Sequence, residues 1–160
     1  MSRLLSISTA HREKSPIRTA GLAAAALAGL LATTAPSFAE IIHLTAKLSG
    51  ANEVPPNVTK GTGTLTATYD TKTMKLDWSL PYSGLTGPVI AAHFHGPAMP
   101  GKNAPVLVPM MNVEKSPITG SAMLTRAQAK DLLHGEVYVN IHTHAHALGE
   151  IRGQVMKAKK

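Results

Sequence analysis

Apolar and polar residues alternate along most of the chain after residue 40, and a period of two is typical of half-buried β-strands. Short turn-forming segments separate the alternating runs. The turn Asp70-Thr71-Lys72, for example, joins two of them and predicts a hairpin. The alternation predicts strands over residues 42–48, 64–69, 74–80, 89–95, 106–108 and 136–144.

One short helix interrupts this pattern. Thr125 and Gln128 have the spacing of a capping box, and Gly135 stands where a glycine commonly ends a helix. Many short strands, frequent turns and one short helix predict an all-β fold, either an antiparallel β-sandwich or a Greek-key barrel.

Residues 1–39 have the features of a secretory signal peptide. Four basic residues precede an uncharged apolar run of 13 residues, Ala20–Ala32, and Ser37-Phe38-Ala39 places small residues around a cleavage site. The alternative, an uncleaved membrane anchor, would need roughly 20 apolar residues. We therefore expect no membrane span and a periplasmic or secreted mature chain of residues 40–160.

Removal of residues 1–39 changes the charge of the protein. The full chain has a net charge of +7, whereas the expected mature chain keeps 12 basic and eight acidic residues, a net charge of +4. Three of the basic residues lie in the segment 157–160, which we interpret as a basic tail. The remaining body is close to neutral, which argues against a nucleic-acid partner.

Histidine is the residue type that points to chemistry. The chain has no cysteine, which excludes disulfides and thiolate metal sites. Five of the seven histidines after residue 39 lie in two clusters, His93-Phe94-His95 and His142-Thr143-His144-Ala145-His146. We interpret the isolated His43 and His134 as surface or hydrogen-bonded residues.

The spacing within both clusters is typical of metal ligands on strands. Successive side chains of a strand point to opposite faces, so His93 and His95 share a face and can converge on one ion. His142 presents a third imidazole from the second strand, while either His144 or His146 could supply a fourth. Three or four imidazole ligands suit copper or zinc, and the usual order of affinities favours copper. The alternative is that these histidines are structural.

Four motifs stand out along the chain: Leu48–Pro56 (LSGANEVPP), Ala92–Pro97 (AHFHGP), Tyr138–Thr143 (YVNIHT) and Gly149–Gln154 (GEIRGQ). Together they resemble the CHRD domain, a module named from the developmental protein chordin and also widespread as a stand-alone secreted bacterial protein. The resemblance spans residues 40–156 and implies a β-rich domain, without fixing an activity. His144 and His146 are additional to the pattern of that family, and they favour stronger metal binding here.

A second resemblance is an analogy to the copper site of copper/zinc superoxide dismutases, in which a His-x-His strand is followed by a later strand histidine. It implies that His93, His95, His142 and His146 bind copper, and that Arg152 is a catalytic residue that attracts the superoxide anion. The disulfide of those enzymes is impossible in a chain without cysteine, and no aspartate-containing zinc subsite follows His95. The analogy therefore allows a copper-only site.

These observations favour a copper-binding β-sandwich that cycles between Cu(II) and Cu(I) on superoxide. The alternatives are a non-enzymatic copper or zinc carrier or buffer, and an extracellular interaction module with structural histidines. Glu150 either orients an imidazole from the outer shell of the site or pairs with Arg152. The expected partners are a metal ion and a small anion such as superoxide. The sequence allows a homodimer but does not decide the oligomeric state.

Overall fold

The computed structural model describes residues 39–159 of the 160-residue chain. The predicted signal peptide lies outside these residues except for Ala39, so its assignment stays a prediction. Within the described part of the chain, no helix is both long enough and apolar enough to cross a membrane.

Residues 39–159 form ten strands, one α-helix and one short 3₁₀ turn. The helix α1 spans Arg126–Leu133, and the 3₁₀ turn spans Gly50–Asn52. The strands are β1 (Ile41–Ser49), β2 (Thr62–Asp70), β3 (Lys75–Leu80), β4 (Tyr82–Ser83), β5 (Val89–His95), β6 (Val106–Pro109), β7 (Ile118–Met123), β8 (Tyr138–Thr143), β9 (Ile151–Gln154) and β10 (Met156–Lys157).

All strand pairs in this part of the chain are antiparallel, and eight strands follow one another in the order β6-β5-β8-β9-β1-β2-β3-β7. The sheet curls on itself. Trp78 of β3 packs edge-on against Phe94 of β5 at 5.2 Å between ring centroids, although four strands separate β3 from β5 in the sheet. The result is a nearly closed, barrel-like sheet, which confirms the predicted all-β class.

The period of two places every second side chain in the interior of the barrel. Ile42 and Gly63 are half-buried, and the other nine inward-facing residues of β1, β2 and β3 are buried. They are Leu44, Ala46, Leu48, Leu65, Ala67, Tyr69, Leu76, Trp78 and Leu80. Phe94 in β5, together with Val139 and Ile141 in β8, completes the facing wall with no exposed surface. The opposite face of β5 and β8 is thereby left to polar side chains.

The predicted helix is confirmed with its cap. Thr125 Oγ1 accepts a hydrogen bond from the backbone N–H of Gln128, and the Gln128 side chain accepts one from the backbone N–H of Thr125. Gly135 follows the helix with a φ of +75°, a conformation that glycine adopts without strain.

Three local features differ from the sequence-based expectation. Met74, expected in a strand, has a φ of +63° and lies in the turn before β3. Strand β7 falls outside the predicted strands because two of its three inward-facing residues, Gly120 and Ala122, are small, and Gly120 packs against the Trp78 indole. Lys157, in the segment expected to be a basic tail, pairs with β1 together with the preceding Met156, although both side chains are exposed. Small inward-facing residues weaken the apolar pattern of β7, and backbone pairing alone defines β10.

Candidate metal centre

The two histidine clusters meet on the outer face of the sheet, where β5 and β8 are neighbours. The backbone register pairs His93 with Asn140, His95 with Tyr138 and Ala91 with His142. His93 and His142 therefore lie diagonally across adjacent strands on one face, as the period of two predicts. The apolar side chains of the same strands face the barrel interior.

The structure brings three of the predicted ligands together. One ring nitrogen from each of His93, His95 and His142 lies within 4.8 Å of the other two. The ring centroid of His93 is 5.4 Å from that of His95 and 5.1 Å from that of His142. His95 is buried, while His93 and His142 are half-buried, so the group is accessible from one side.

Backbone carbonyls fix the tautomers of two of these rings. His95 Nδ1 lies 3.0 Å from the carbonyl oxygen of Ala104, and His142 Nδ1 lies 3.0 Å from that of Ala147. A carbonyl can only accept, so both Nδ1 atoms carry the proton and each Nε2 keeps a lone pair in the neutral ring; that of His142 can accept a hydrogen bond from His93 Nδ1. Metal-binding histidines are oriented in this way by outer-shell acceptors.

Two further observations, a buried nitrogen without a partner and a distance between two nitrogens, fit a metal ion. His95 Nε2 is buried and has no hydrogen-bond partner among residues 39–159, which is costly unless another group occupies that position. His93 Nδ1 lies 3.2 Å from His142 Nε2. Two nitrogens bound tetrahedrally at about 2.0–2.1 Å to one ion are roughly 3.3 Å apart. The residues present therefore fit an imidazole-bound metal ion.

Burial favours the neutral form of these imidazoles, which is the form that binds metals. Burial lowers the pKa of His93, and the neighbouring His142 and His95 lower it further. Burial also lowers the pKa of His95 and of His142, although the hydrogen bonds to Ala104 and Ala147 oppose that effect.

The other two predicted ligands lie apart from this group. Strand β8 ends at Thr143, and the chain then turns, with reciprocal backbone hydrogen bonds between Thr143 and His146. His144 is exposed and His146 is half-buried, and neither belongs to the three-histidine group. The strand therefore ends before His144, and a fourth ligand from this turn stays a prediction.

Arg152 is buried beneath the surface of the polar face, with 2% of it exposed. Its guanidinium carbon lies 3.4 Å from the centroid of the Tyr138 ring. Its terminal nitrogens donate to Asn103 Oδ1 at 2.9 Å and to the Lys102 carbonyl at 2.6 Å. An anion could approach it from a pocket of about 430 Å³ that Arg152 lines together with Glu53.

Glu150 does neither of the two things expected from the sequence. Its carboxylate accepts hydrogen bonds from the side chains of Thr59, Thr86 and Thr143 and from the backbone N–H of Thr86, and it contacts no imidazole. Within residues 39–159 the side chains form one ion pair, Lys75–Asp77, so Glu150 does not pair with Arg152. Glu150 precedes β9, so the alternation of side chains along a strand does not place it on the same face as Arg152.

Sequence reasoning missed several groups around the histidines. Tyr138 stacks on His95, with 4.8 Å between ring centroids and planes 1° apart. Asn140 of β8 lies opposite His93 of β5, and its Oδ1 is buried without a partner in the described residues. Both lie on the same face of β8 as His142, so the period of two would have identified them. Burial raises the pKa of Glu53 to about 7, against the opposing charge of Arg152.

A family model for the CHRD domain matches residues 44–155, more than two thirds of the chain. The chain therefore belongs to the CHRD domain family, as its four motifs indicate. Three of the motifs lie around the polar face, because they contain the histidines of β5 and β8 and the arginine of β9. No curated protein and no solved structure matches the chain.

Proposed function

We propose that the protein binds copper through His93, His95 and His142 and works in the periplasm or outside the cell. The observation that carries this proposal is the convergence of three ring nitrogens within 4.8 Å, with His95 Nε2 buried and unpartnered. Imidazole nitrogens bind both copper and zinc, and copper has the higher affinity for such a ligand set. The location rests on the signal-peptide pattern of residues 1–39.

The turn after β8 offers the fourth ligand of this proposal. His146 is half-buried and His144 is exposed, so His146 needs the smaller loss of solvent contact to join the site. The turn is short, and the carbonyl of Ala147 within it already holds His142. A movement that brings His146 inward would therefore also act on His142.

Copper titration of the purified protein tests the proposal. The wild-type protein should bind one equivalent of Cu(II), with nitrogen hyperfine structure in its electron paramagnetic resonance spectrum. His95→Ala and His142→Ala should weaken binding by more than the roughly 10–100-fold that loss of an outer-shell partner costs. His43→Ala is the matched control, since His43 lies outside the three-histidine group and is exposed on β1.

Two results would contradict the proposal. A wild-type protein without stoichiometric metal would leave the histidines structural and favour an extracellular interaction module. Unchanged copper affinity in both His95→Ala and His142→Ala would place the metal elsewhere. A parallel titration in which Zn(II) binds as tightly as Cu(II), against the usual order of affinities, would favour a zinc carrier or buffer.

Superoxide dismutation is the second candidate function, and the partial exposure of His93 and His142 favours it, because turnover needs an approachable metal. Bound copper would supply one-electron oxidation and reduction. The protein would hold the ion with neutral imidazoles and provide positive potential nearby through Arg152. Superoxide consumption by the copper-loaded sample, lost in His142→Ala, is the expected result; tight copper without turnover would leave a carrier or buffer.

A further inference from the structure

Arg152, Tyr138 and His95 form one continuous stack of planar groups across three neighbouring strands. Tyr138 of β8 lies opposite His95 of β5, and its ring is parallel to the imidazole within 1° at 4.8 Å. Arg152 of β9 places its guanidinium carbon 3.4 Å from the centroid of the same ring. Cation–π and aromatic contacts at these distances are attractive and constrain ring orientation.

A second set of contacts leads from Arg152 to His95 through the loop between β5 and β6. Arg152 donates to the Lys102 carbonyl and to the side chain of Asn103. The next residue, Ala104, accepts a hydrogen bond from His95 Nδ1 at 3.0 Å, and its backbone N–H donates to the Tyr138 hydroxyl at 3.2 Å. The carbonyl that sets the His95 tautomer therefore lies directly after the residues that Arg152 holds.

Stability alone does not account for an arginine at this position. Arg152 is 2% exposed, and within residues 39–159 no carboxylate forms an ion pair with it, although the buried Glu53 acts on its charge from beyond ion-pair distance. A buried charge carries a large desolvation cost, and a well-packed apolar side chain of similar volume is often at least as stabilising. Arginine differs in having a planar guanidinium that can stack and donate two hydrogen bonds at the same time.

We propose that Arg152 is a positioning residue of the histidine site, and that it fixes the ring plane and the tautomer of His95 through Tyr138 and the segment 102–104. It acts from beneath the surface and touches no ligand of the proposed metal. The consequence for copper rests on the proposed function: a His95 that is held in place is a preorganised ligand, and its release should weaken binding by about 10–100-fold.

Arg152→Lys separates the effect of the planar guanidinium from the effect of its positive charge. Lysine keeps the positive charge, but its ammonium cannot stack as a plane on Tyr138 while it donates to both Lys102 and Asn103. Tyr138→Leu removes both the stack and the contacts of the Tyr138 hydroxyl with Ala104, and it retains the Arg152 residue. Gln154→Met is the matched control: Gln154 also lies on β9, opposite Tyr138, but its side chain donates to the carbonyls of Ala98 and Gly135 and not to the segment 102–104.

The first readout needs no metal. Long-range ¹H–¹⁵N spectra of the histidine-labelled, chelator-treated protein report which ring nitrogen of His95 carries the proton. The wild type and Gln154→Met should show His95 protonated at Nδ1 alone. Arg152→Lys and Tyr138→Leu should show a mixture of both tautomers. A folded Arg152→Lys protein that keeps the wild-type His95 tautomer, with unchanged copper affinity, would overturn the proposal.

Two further measurements keep the outcomes distinct. Thermal unfolding establishes that each variant is folded. If Arg152→Lys is not, Asn103→Ala, which removes one acceptor of Arg152, replaces it and should also mix the tautomers. A wild type that binds no copper would refute the proposed function and leave the tautomer result to decide the positioning role. Loss of superoxide turnover in Arg152→Lys without any change of tautomer or copper affinity would instead make Arg152 an anion guide.

Discussion

The buried carboxylate of Glu150 gives the most quantitative prediction of this structure. Glu150 has no exposed surface. Its Oε1 accepts from Thr59 Oγ1 at 2.6 Å and from the Thr86 backbone N–H at 2.8 Å. Its Oε2 accepts from Thr86 Oγ1 at 3.0 Å and from Thr143 Oγ1 at 2.6 Å. Four donors from three separate segments thus meet on one carboxylate, and Glu150→Gln perturbs all of them with little change in volume.

The hydrogen bonds set the magnitude of the effect. A hydrogen bond to a charged group contributes about 1.5–3 kcal/mol, and one between neutral groups about 0.5–1.5 kcal/mol. The backbone N–H of Thr86 can only donate, so the glutamine oxygen must take the position of Oε1. The amide NH₂ then faces the hydroxyls of Thr86 and Thr143, which must turn from donors into acceptors. We expect Glu150→Gln to lower the free energy of unfolding by about 2–4 kcal/mol at pH 7.

The effect should depend on pH in a defined direction. Burial alone would raise the pKa of Glu150, but the hydrogen bonds from Thr143, Thr59 and Thr86 outweigh burial and leave the pKa below its ordinary value. A carboxylate with a lowered pKa stabilises the fold above the unfolded-state pKa of about 4.3. That contribution is lost as the pH falls through the folded-state pKa. The difference between wild type and Glu150→Gln should therefore shrink below about pH 4.

Urea denaturation with a chelator present measures this difference at pH 7, 5, 4 and 3. The fluorescence of Trp78, the one tryptophan of the chain and a buried one, reports unfolding. Glu114→Gln is the control, since Glu114 is exposed and a surface substitution of this kind changes stability by less than about 0.5 kcal/mol. A Glu150→Gln effect as small as that of the control, or one of constant size from pH 7 to pH 3, would refute the reasoning.

Two further predictions follow from the core and from the histidines. Phe94→Ala should lower the free energy of unfolding by about 3–5 kcal/mol in urea denaturation, because Phe94 is fully buried and packs edge-on against Trp78; a loss below about 1 kcal/mol would contradict this packing. Burial lowers the pKa of His93, His95 and His142 below the ordinary value of 6.5, so copper affinity in competition titrations should stay constant from pH 8 down to about 6.5 and decline only below it. A decline that begins above pH 7 would show ordinary, exposed imidazoles.

The sequence predicts the strands in which large apolar side chains alternate with polar ones, and it misses the strands that lack such side chains. β1, β2 and β3 bury one apolar side chain in every two, so their pattern records the position of the core. In β7 the inward-facing Gly120 and Ala122 are small, and β10 pairs with β1 through only two residue pairs, so neither strand gives a strong alternating apolar signal. The curling of the sheet cannot be predicted from local pattern, since it depends on contacts such as Trp78 with Phe94.

The candidate site also has features that the sequence predicts and features that it does not. His93, His95 and His142 are predictable because the period of two places them on one face of their strands. Their convergence also needs β5 and β8 to be neighbours in a particular register, which the spacing of residues along the chain does not contain. The carbonyls of Ala104 and Ala147 carry no side-chain signal at all, although they determine which nitrogens are free.

The motif Gly149–Gln154 explains why residues without metal-binding chemistry accompany the histidines. Glu150 lies before β9 and holds Thr143, the residue directly after His142. Arg152 lies within β9 and holds Tyr138 and the loop that orients His95. The two charges, expected to neutralise each other, instead support different ligand-bearing strands from one short segment. Loss of Glu150 should therefore loosen the His142 end of the site and loss of Arg152 the His95 end, which separate tautomer measurements on the two rings can distinguish.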